Sequence, residues 1–189
     1  MELKRITVEE LLRRYAALER DFSGVDIIYR QEGLSSCNLC GINLSNSRFN
    51  FAYLIETDLS NADLSGARMA EMTLDRANLS RANFNGAQLW QCSFDDANLS
   101  SANLSCADLG MSSFRRANLS SAILSGARLE HTSFRETDLR GANFSNTIFD
   151  DVGFYSANLT GANLDGVEFR GVYFQNTIMP DGSIRDDSC

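Results

Sequence analysis

The sequence predicts an all-β solenoid, a parallel β-helix of four-sided coils closed at its N-terminal end by one α-helix. Three observations carry this. From Leu34 to Met179 every fifth residue is Leu, Phe or Met, thirty in succession, of which 18 are Leu, 10 Phe and 2 Met. A second period, of twenty residues, is laid over the first. An amphipathic segment at helical spacing precedes both.

A period of five suits neither standard element. On an α-helix five residues advance about 140°, so the apolar side chains would spread around the whole cylinder. On a straight strand alternate members would face opposite sides. A chain that turns a corner every five residues points all thirty inward. Each coil then stacks on the last at the strand spacing of about 4.8 Å, and neighbouring coils cover one another.

The longer period counts the corners. Cys92-Ser93-Phe94, Ser112-Ser113-Phe114, Thr132-Ser133-Phe134, Val152-Gly153-Phe154 and Val172-Tyr173-Phe174 recur every twenty residues. Twenty is four fives, hence a four-sided coil. One face stacks Leu54, Leu74, Phe94, Phe114, Phe134, Phe154 and Phe174, and the next stacks Leu59, Leu79, Leu99, Leu119, Leu139 and Leu159.

The other slots follow. Two residues before the central one, Ala fills 15 of 30 places, marking a second inward position where only small groups fit. One residue before, Asn or Asp fills 14 of 30, side chains suited to bonding corner backbone. Eight of the 13 Gly lie two residues after a central residue, where a tight turn calls for positive φ.

Written out, the repeat is A-(N/D)-L-x-x, as in Ala77-Asn78-Leu79-Ser80-Arg81, Ala102-Asn103-Leu104-Ser105-Cys106 and Ala162-Asn163-Leu164-Asp165-Gly166. It resembles the pentapeptide-repeat family over 146 residues. The resemblance implies a right-handed quadrilateral parallel β-helix, in keeping with the twenty-residue period. It implies no activity, since most members have none assigned. A minority resemble B-DNA in shape and charge, bind type II topoisomerases and protect against quinolones, and those members tend to dimerise through C-terminal elements. Thr177 to Gly182, Thr-Ile-Met-Pro-Asp-Gly, looks like the ending of cyanobacterial members.

The expected organisation is a capping helix over residues 1–22, a β-helix over 23–180 and a polar tail over 181–189. Within the first, residues 5–22 read as helix. Ile6, Val8, Leu11, Leu12, Tyr15, Leu18 and Phe22 form an apolar stripe, and Thr7 with Glu10 has the form of a capping box. An open solenoid end exposes strand edges and core, so a lid is expected there. Five acids and five bases over residues 1–22 do not suit an anionic membrane. Phe22-Ser23-Gly24 and Val25-Asp26-Ile27 read as repeats two residues out of step with Leu34, the slip being absorbed between Ile28 and Gly33. The tail offers Asp181, Asp186 and Asp187 and no apolar surface, which favours a monomer.

Catalytic, cofactor and metal chemistry find no residues to rest on. Cys37-x-x-Cys40 lacks a second pair of ligands. Cys37 and Cys92 take small inward slots, Cys40 sits at a corner, and Cys106 and Cys189 are expected free at the surface. His131, the sole histidine, falls at a corner. No phosphate loop or nucleophile elbow occurs. No enzyme is expected. With no apolar signal-peptide core and no 18-residue apolar run, the cytoplasm is the expected compartment.

Charge bears on partners. A net charge of −8 argues against direct nucleic-acid binding. A DNA mimic would show continuous acidic stripes, yet one corner column runs Glu56, Arg76, Asp96, Arg116, Glu136, alternating in sign. The column beside it, Asp75, Asp95, Arg115, Arg135, switches sign halfway. The first is expected to form a salt-bridge ladder. Elsewhere the prism has plain Ser columns, but Phe51, Trp90 and Met111 share one corner, flanked by Ile55, His131 and Tyr155, with Arg48, Arg68 and Arg128 nearby. Phe51, Trp90, Met111, His131 and Tyr155 are therefore the candidate surface for an unknown protein partner. The expected function is a non-enzymatic interaction scaffold, and the alternative is a DNA-mimic modulator of topoisomerase.

Overall fold

The corners of the chain share one backbone conformation. The computed structural model describes residues 3–28, 33–49 and 51–187. From Ser36 to Asn176 the residue two past each central position has positive φ, between 49° and 69°. At most corners the amide one residue further donates back to the central carbonyl, as Ala77 N does to Leu74 O at 3.1 Å in type II turn geometry, while Cys92 N turns instead to Ser112 Oγ at 3.0 Å. Gly holds only eight of these positions, so the coil imposes the left-handed conformation on ordinary residues, Phe51, Met111 and His131 among them. Glycine marks the turn in the sequence but does not create it.

Between corners the chain makes short parallel bridges to residues twenty positions away: Asp58 to Asn78, then Asn98, Asn118, Asp138 and Asn158. Backbone bonds hold the step, Asn78 N to Thr57 O at 2.9 Å and Leu79 N to Asn98 O at 2.7 Å. The result is a four-sided parallel β-helix. Central residues at Leu34, Leu54 and on to Phe174 line its first face, and the columns beginning at Leu39, Leu44 and Phe49 line the second, third and fourth. The rod is eight coils deep on the first face.

Inside, the first-face rings from Phe94 to Phe174 stack with centroids 4.7, 5.2, 5.3 and 5.4 Å apart. Beside them the small slot is buried, as at Ala77, Ala97 and Ala117. Where that slot is polar, its hydroxyl donates to a central carbonyl of the adjacent coil: Thr57 to Leu34 at 2.6 Å, Ser112 to Leu89 at 2.7 Å and Thr137 to Phe114 at 2.7 Å. A buried hydroxyl is tolerated because it has this partner. Outside, Asn and Asp do two jobs. Asn103 Oδ1 accepts from Ser105 N at 3.1 Å, fixing the corner, while its Nδ2 donates to Asn83 Oδ1 in the next coil at 3.1 Å.

The regular elements are β1 (Lys4–Thr7), α1 (Val8–Ala16), β2 (Val25–Ile28), β3 (Arg128–Glu130), β4 (Ile148–Asp150), β5 (Gly153–Tyr155), β6 (Glu168–Arg170), β7 (Tyr173–Gln175), β8 (Thr177–Ile178) and β9 (Ile184–Arg185). On the fourth face β3, β4 and β6 form a parallel sheet, and on the first β5 pairs with β7.

The N-terminal end differs from the expected helix over 5–22. Only Val8–Ala16 is helical, and β1 precedes it, pairing in parallel with β2. Ile6 is buried in that strand rather than on a helix, and Leu18 is 80% exposed. The capping box is present, with Thr7 Oγ1 accepting from Glu10 N at 3.2 Å. Val8 and Leu11 are buried and Leu12 and Tyr15 pack on the core, so α1 is a lid, as expected. Phe22 belongs to the first coil. Asp21 bridges Asn43 and Asp26 bridges Arg48, each 22 residues on, where later coils step by twenty. That is the two-residue slip read from the sequence; most of the segment expected to absorb it, between Ile28 and Gly33, lies outside the described residues, as does Cys189.

The C-terminal tail is a folded strap, where a plain polar extension was expected. β9 turns back antiparallel onto β8, Arg185 lies 4.1 Å over the Phe174 ring, and Asp187 N donates to Phe174 O at 2.8 Å. The tail also carries apolar surface, since Ile184 is 69% exposed.

Candidate functional site

The corner between the fourth and first faces gathers most of the sequence-predicted residues. Trp90, Met111 and His131 occupy it in successive coils and all are substantially exposed. Trp90 is seated by a glycine: a β-carbon on Gly110, one coil along, would stand 3.1 Å from Trp90 Cδ1. The amide of Gln91 lies 3.8 Å from Met111 Sδ. His131 Nδ1 is 3.4 Å from Asp151 Oδ2 in the next coil.

Phe51 shares the corner but sits apart, two coils before Gln91 with Glu71 between them. Its exposed neighbour is Tyr53. Tyr155 and Ile55 belong to the following corner, between the first and second faces. The Tyr155 ring nevertheless lies back over the first face, where a β-carbon on Gly153 would stand 2.6 Å from Cε2. It thereby reaches the His131 group. His131, Thr132, Ser133, Asp151, Gly153, Tyr155 and Tyr173 line one cleft of about 370 Å³. On the far side Tyr155 and Tyr173 share a second, of about 210 Å³, with Phe174, Gln175 and Asp187.

Residues 34–69, 74–110, 112–151 and 154–182 match the pentapeptide repeat, in eight copies. The chain belongs to the pentapeptide-repeat family. Among solved structures it is similar to HetL, a pentapeptide repeat protein involved in heterocyst differentiation regulation from the cyanobacterium Nostoc sp. strain PCC 7120. The identity is 28% over 95% of this chain and 100% of that one, with a TM-score of 0.31. It is similar also to QnrB1, a plasmid-mediated fluoroquinolone resistance protein, at 20% identity over 82% and 84% of the two chains, with a TM-score of 0.33. Rfr23, from the cyanobacterium Cyanothece 51142, is 26% identical over 88% and 96%, with a TM-score of 0.22. No curated protein matches significantly.

This pentapeptide-repeat protein departs from the expected salt-bridge ladder. Arg76 pairs with Glu56 at 2.9 Å and Arg116 with Asp96 at 2.5 Å, but Glu136 pairs with Arg135 of its own coil. Arg116 grips Asp96 with two nitrogens, Nε on Oδ1 and Nη2 on Oδ2, and so is turned away from Glu136. The Arg116 side chain holds the Asp96 carboxyl below its usual range. Asp75 and Asp95 of the neighbouring column are engaged within the fold: Asp95 Oδ1 accepts from Ser113 Oγ at 2.5 Å and from Arg115 N at 3.1 Å.

Cys37, Cys40, Cys92 and Cys106 are free thiols. Cys92 fills an inward slot, its thiol donating to Met69 O at 2.9 Å, and burial pushes its pKa up to about 12. Cys37 packs on the core and its thiol is likewise raised by burial. Cys40 Sγ accepts from Ser60 Oγ at 3.3 Å. Among the described residues no group of three His, Cys, Asp or Glu is placed to hold a metal, and no helix is long and apolar enough to cross a membrane.

Sequence reasoning missed Tyr53, Tyr173 and Asp151. The two tyrosines stand in the outward slot where Asn, Asp or Ser is usual, a departure visible in the repeat. Gly110 and Gly153 also stand outside the positive-φ slot, which signals a glycine needed for space and not for its backbone.

Proposed function

We propose that this chain is a non-catalytic, monomeric, cytoplasmic scaffold that binds a protein partner through the corner bearing Trp90, Met111 and His131. One observation carries the reading. The second- and third-face corners present mostly Ser, Gly and Asn and the first-face corner mostly charged residues, whereas this corner holds Trp90 and Met111, 39% and 48% exposed, on left-handed or glycine-seated backbone. Large exposed apolar groups are the usual anchors of an interface. The test is a pull-down with the chain as bait. Replacing Phe51, Trp90 and Met111 together by Ser is expected to remove the specific partner while leaving thermal stability nearly unchanged. Retention of that partner by the triple variant refutes the surface.

The alternative, a DNA mimic acting on topoisomerase, draws less support. Its acidic columns are interrupted by arginines, and Asp75 and Asp95 are tied into the fold. No change in gyrase supercoiling or quinolone sensitivity is expected at micromolar protein.

A further inference from the structure

The scaffold reading leaves the chemistry of the partner open, and four features of the first face narrow it. Two aromatic rings, Trp90 and Tyr155, lie against the rod on glycine seats and both remain partly exposed to solvent. Neither glycine has a positive φ, so each is explained by the ring above it. Gly153 stands two coils beyond Ser113, which shares a coil with Gly110. Two coils amount to about 10 Å along the axis, and the three residues from corner to face add at most about 10 Å sideways, so the rings stand roughly 10–14 Å apart. Second, the clefts of about 370 and 210 Å³ flank the Tyr155 ring, with Tyr173 walling both. Third, the Trp90 indole N–H and the hydroxyls of Tyr155 and Tyr173 have no protein acceptor among the described residues. Fourth, the first cleft is lined by a carboxylate with no Lys or Arg beside it: Asp151 pairs only with His131 among the described residues, while Asp187 of the second cleft pairs with Arg185.

We infer that this surface binds a basic, proline-rich segment of a partner protein in the polyproline II conformation. The inference rests on the scaffold reading and gives the partner a chemistry. Polyproline II has three residues per turn and rises about 3.1 Å per residue, so three or four residues span about 9–12 Å, within the range that separates the two rings. Proline presents a flat apolar ring to an aromatic face, and the helix carries no internal hydrogen bonds, so its carbonyls are free for aromatic N–H and O–H donors. The preformed conformation loses little entropy on docking, which suits a shallow surface. Asp151 sets the sign: a lysine or arginine beside the prolines finds its carboxylate here, and a glutamate is repelled.

The probe is a fluorescein-labelled peptide of three Pro-Pro-Leu-Pro-Arg units, titrated with the full chain by anisotropy. Trp90 is the only tryptophan, so its emission reports directly on the site. Saturable binding with a blue-shifted emission is expected. Tyr155→Ala and Gly153→Ala should each weaken it at least tenfold without moving the melting temperature, the second by displacing the ring that it seats. Peptides with Gly for every Pro, or Glu for every Arg, should also bind at least tenfold more weakly. Equal binding of the glycine peptide, or none up to about 1 mM, overturns the proposal. If the probe fails while the triple Ser variant still loses its partner in the pull-down, the polyproline assignment falls and the scaffold reading stands. If the partner also survives, both fall.

Discussion

The ring of Phe94 lies 4.7 Å from that of Phe114, one coil along, with their planes 1° apart. Aromatic pairs left to themselves prefer offset or edge-to-face contact. Here the coil spacing sets the separation, and neighbouring columns supply the edges, Phe84 against Phe94 at 87° and Phe144 against Phe134 at 83°. Phe114→Ala should cost about 3–5 kcal/mol in denaturant unfolding, since the rings on either side are held by their own coils and cannot collapse into the gap. Phe114→Leu should cost under about 1.5 kcal/mol, because the same column already accepts Leu54 and Leu74.

Thr137 shows what the small slot gains from a hydroxyl. Its Oγ1 donates to Phe114 O at 2.7 Å, and that carbonyl also accepts from Ala117 N at 3.0 Å. Thr137→Val keeps the shape and deletes one of two donors, so the carbonyl is not orphaned. The expected loss is about 1 kcal/mol, measured by unfolding midpoint at constant slope. A loss above about 3 kcal/mol would mean that the hydroxyl, and not the stacking, holds the coils in register.

Cys92 makes alkaline stability a local measurement. An ordinary thiol ionises near 9.0, and burial raises this one to about 12. Below pH 9 both folded and unfolded chains hold the proton and the full stability is present. Between 9 and 12 the unfolded chain loses it and the folded chain does not, so stability falls by up to about 1.4 kcal/mol per pH unit. Burial of Tyr15 acts in the same direction at higher pH. Cys92→Ala, which restores the commonest residue of that slot, should flatten the decline between pH 9 and 11 relative to the native chain. A thiol reagent at neutral pH should modify exposed Cys106 and spare Cys92.

The coil was legible because its signal is local and repeated: Leu34 to Met179 fix which side chains point inward, and the twenty-residue period fixes which stack. What was not legible depends on contacts distant in sequence. Ile6 fits a helical stripe and a strand equally well, and only pairing of β1 with β2, some twenty residues on, decides for the strand. Whether Arg116 turns to Asp96 or to Glu136 is a choice of rotamer that no column of charges encodes. Tyr155 belongs by its slot to the next corner, yet its ring reaches the His131 group because Gly153 leaves a place for it. The candidate surface is outlined by large residues in variable slots; Tyr173 departs from the Asn, Asp or Ser usual in its slot, whereas Asp151 shares a variable slot with Asp96 and gives no such signal.

Met111 links the cost of the fold to the candidate site. Its φ is 57°, a conformation that costs an ordinary L-residue about 1–2 kcal/mol, and its side chain is 48% exposed with little packing to offset that strain. Gly is found at the equivalent position in eight other corners. Met111→Gly removes the strain and adds about 0.5–1 kcal/mol of unfolded-chain entropy, so the net gain should reach up to about 1.5 kcal/mol, seen as a raised melting temperature. In the partner pull-down the same variant should bind less. Stability rising while binding falls is the outcome expected if the corner keeps its methionine for contact. A variant that is more stable and binds equally well would leave Trp90 and the Tyr155 clefts as the whole of the surface.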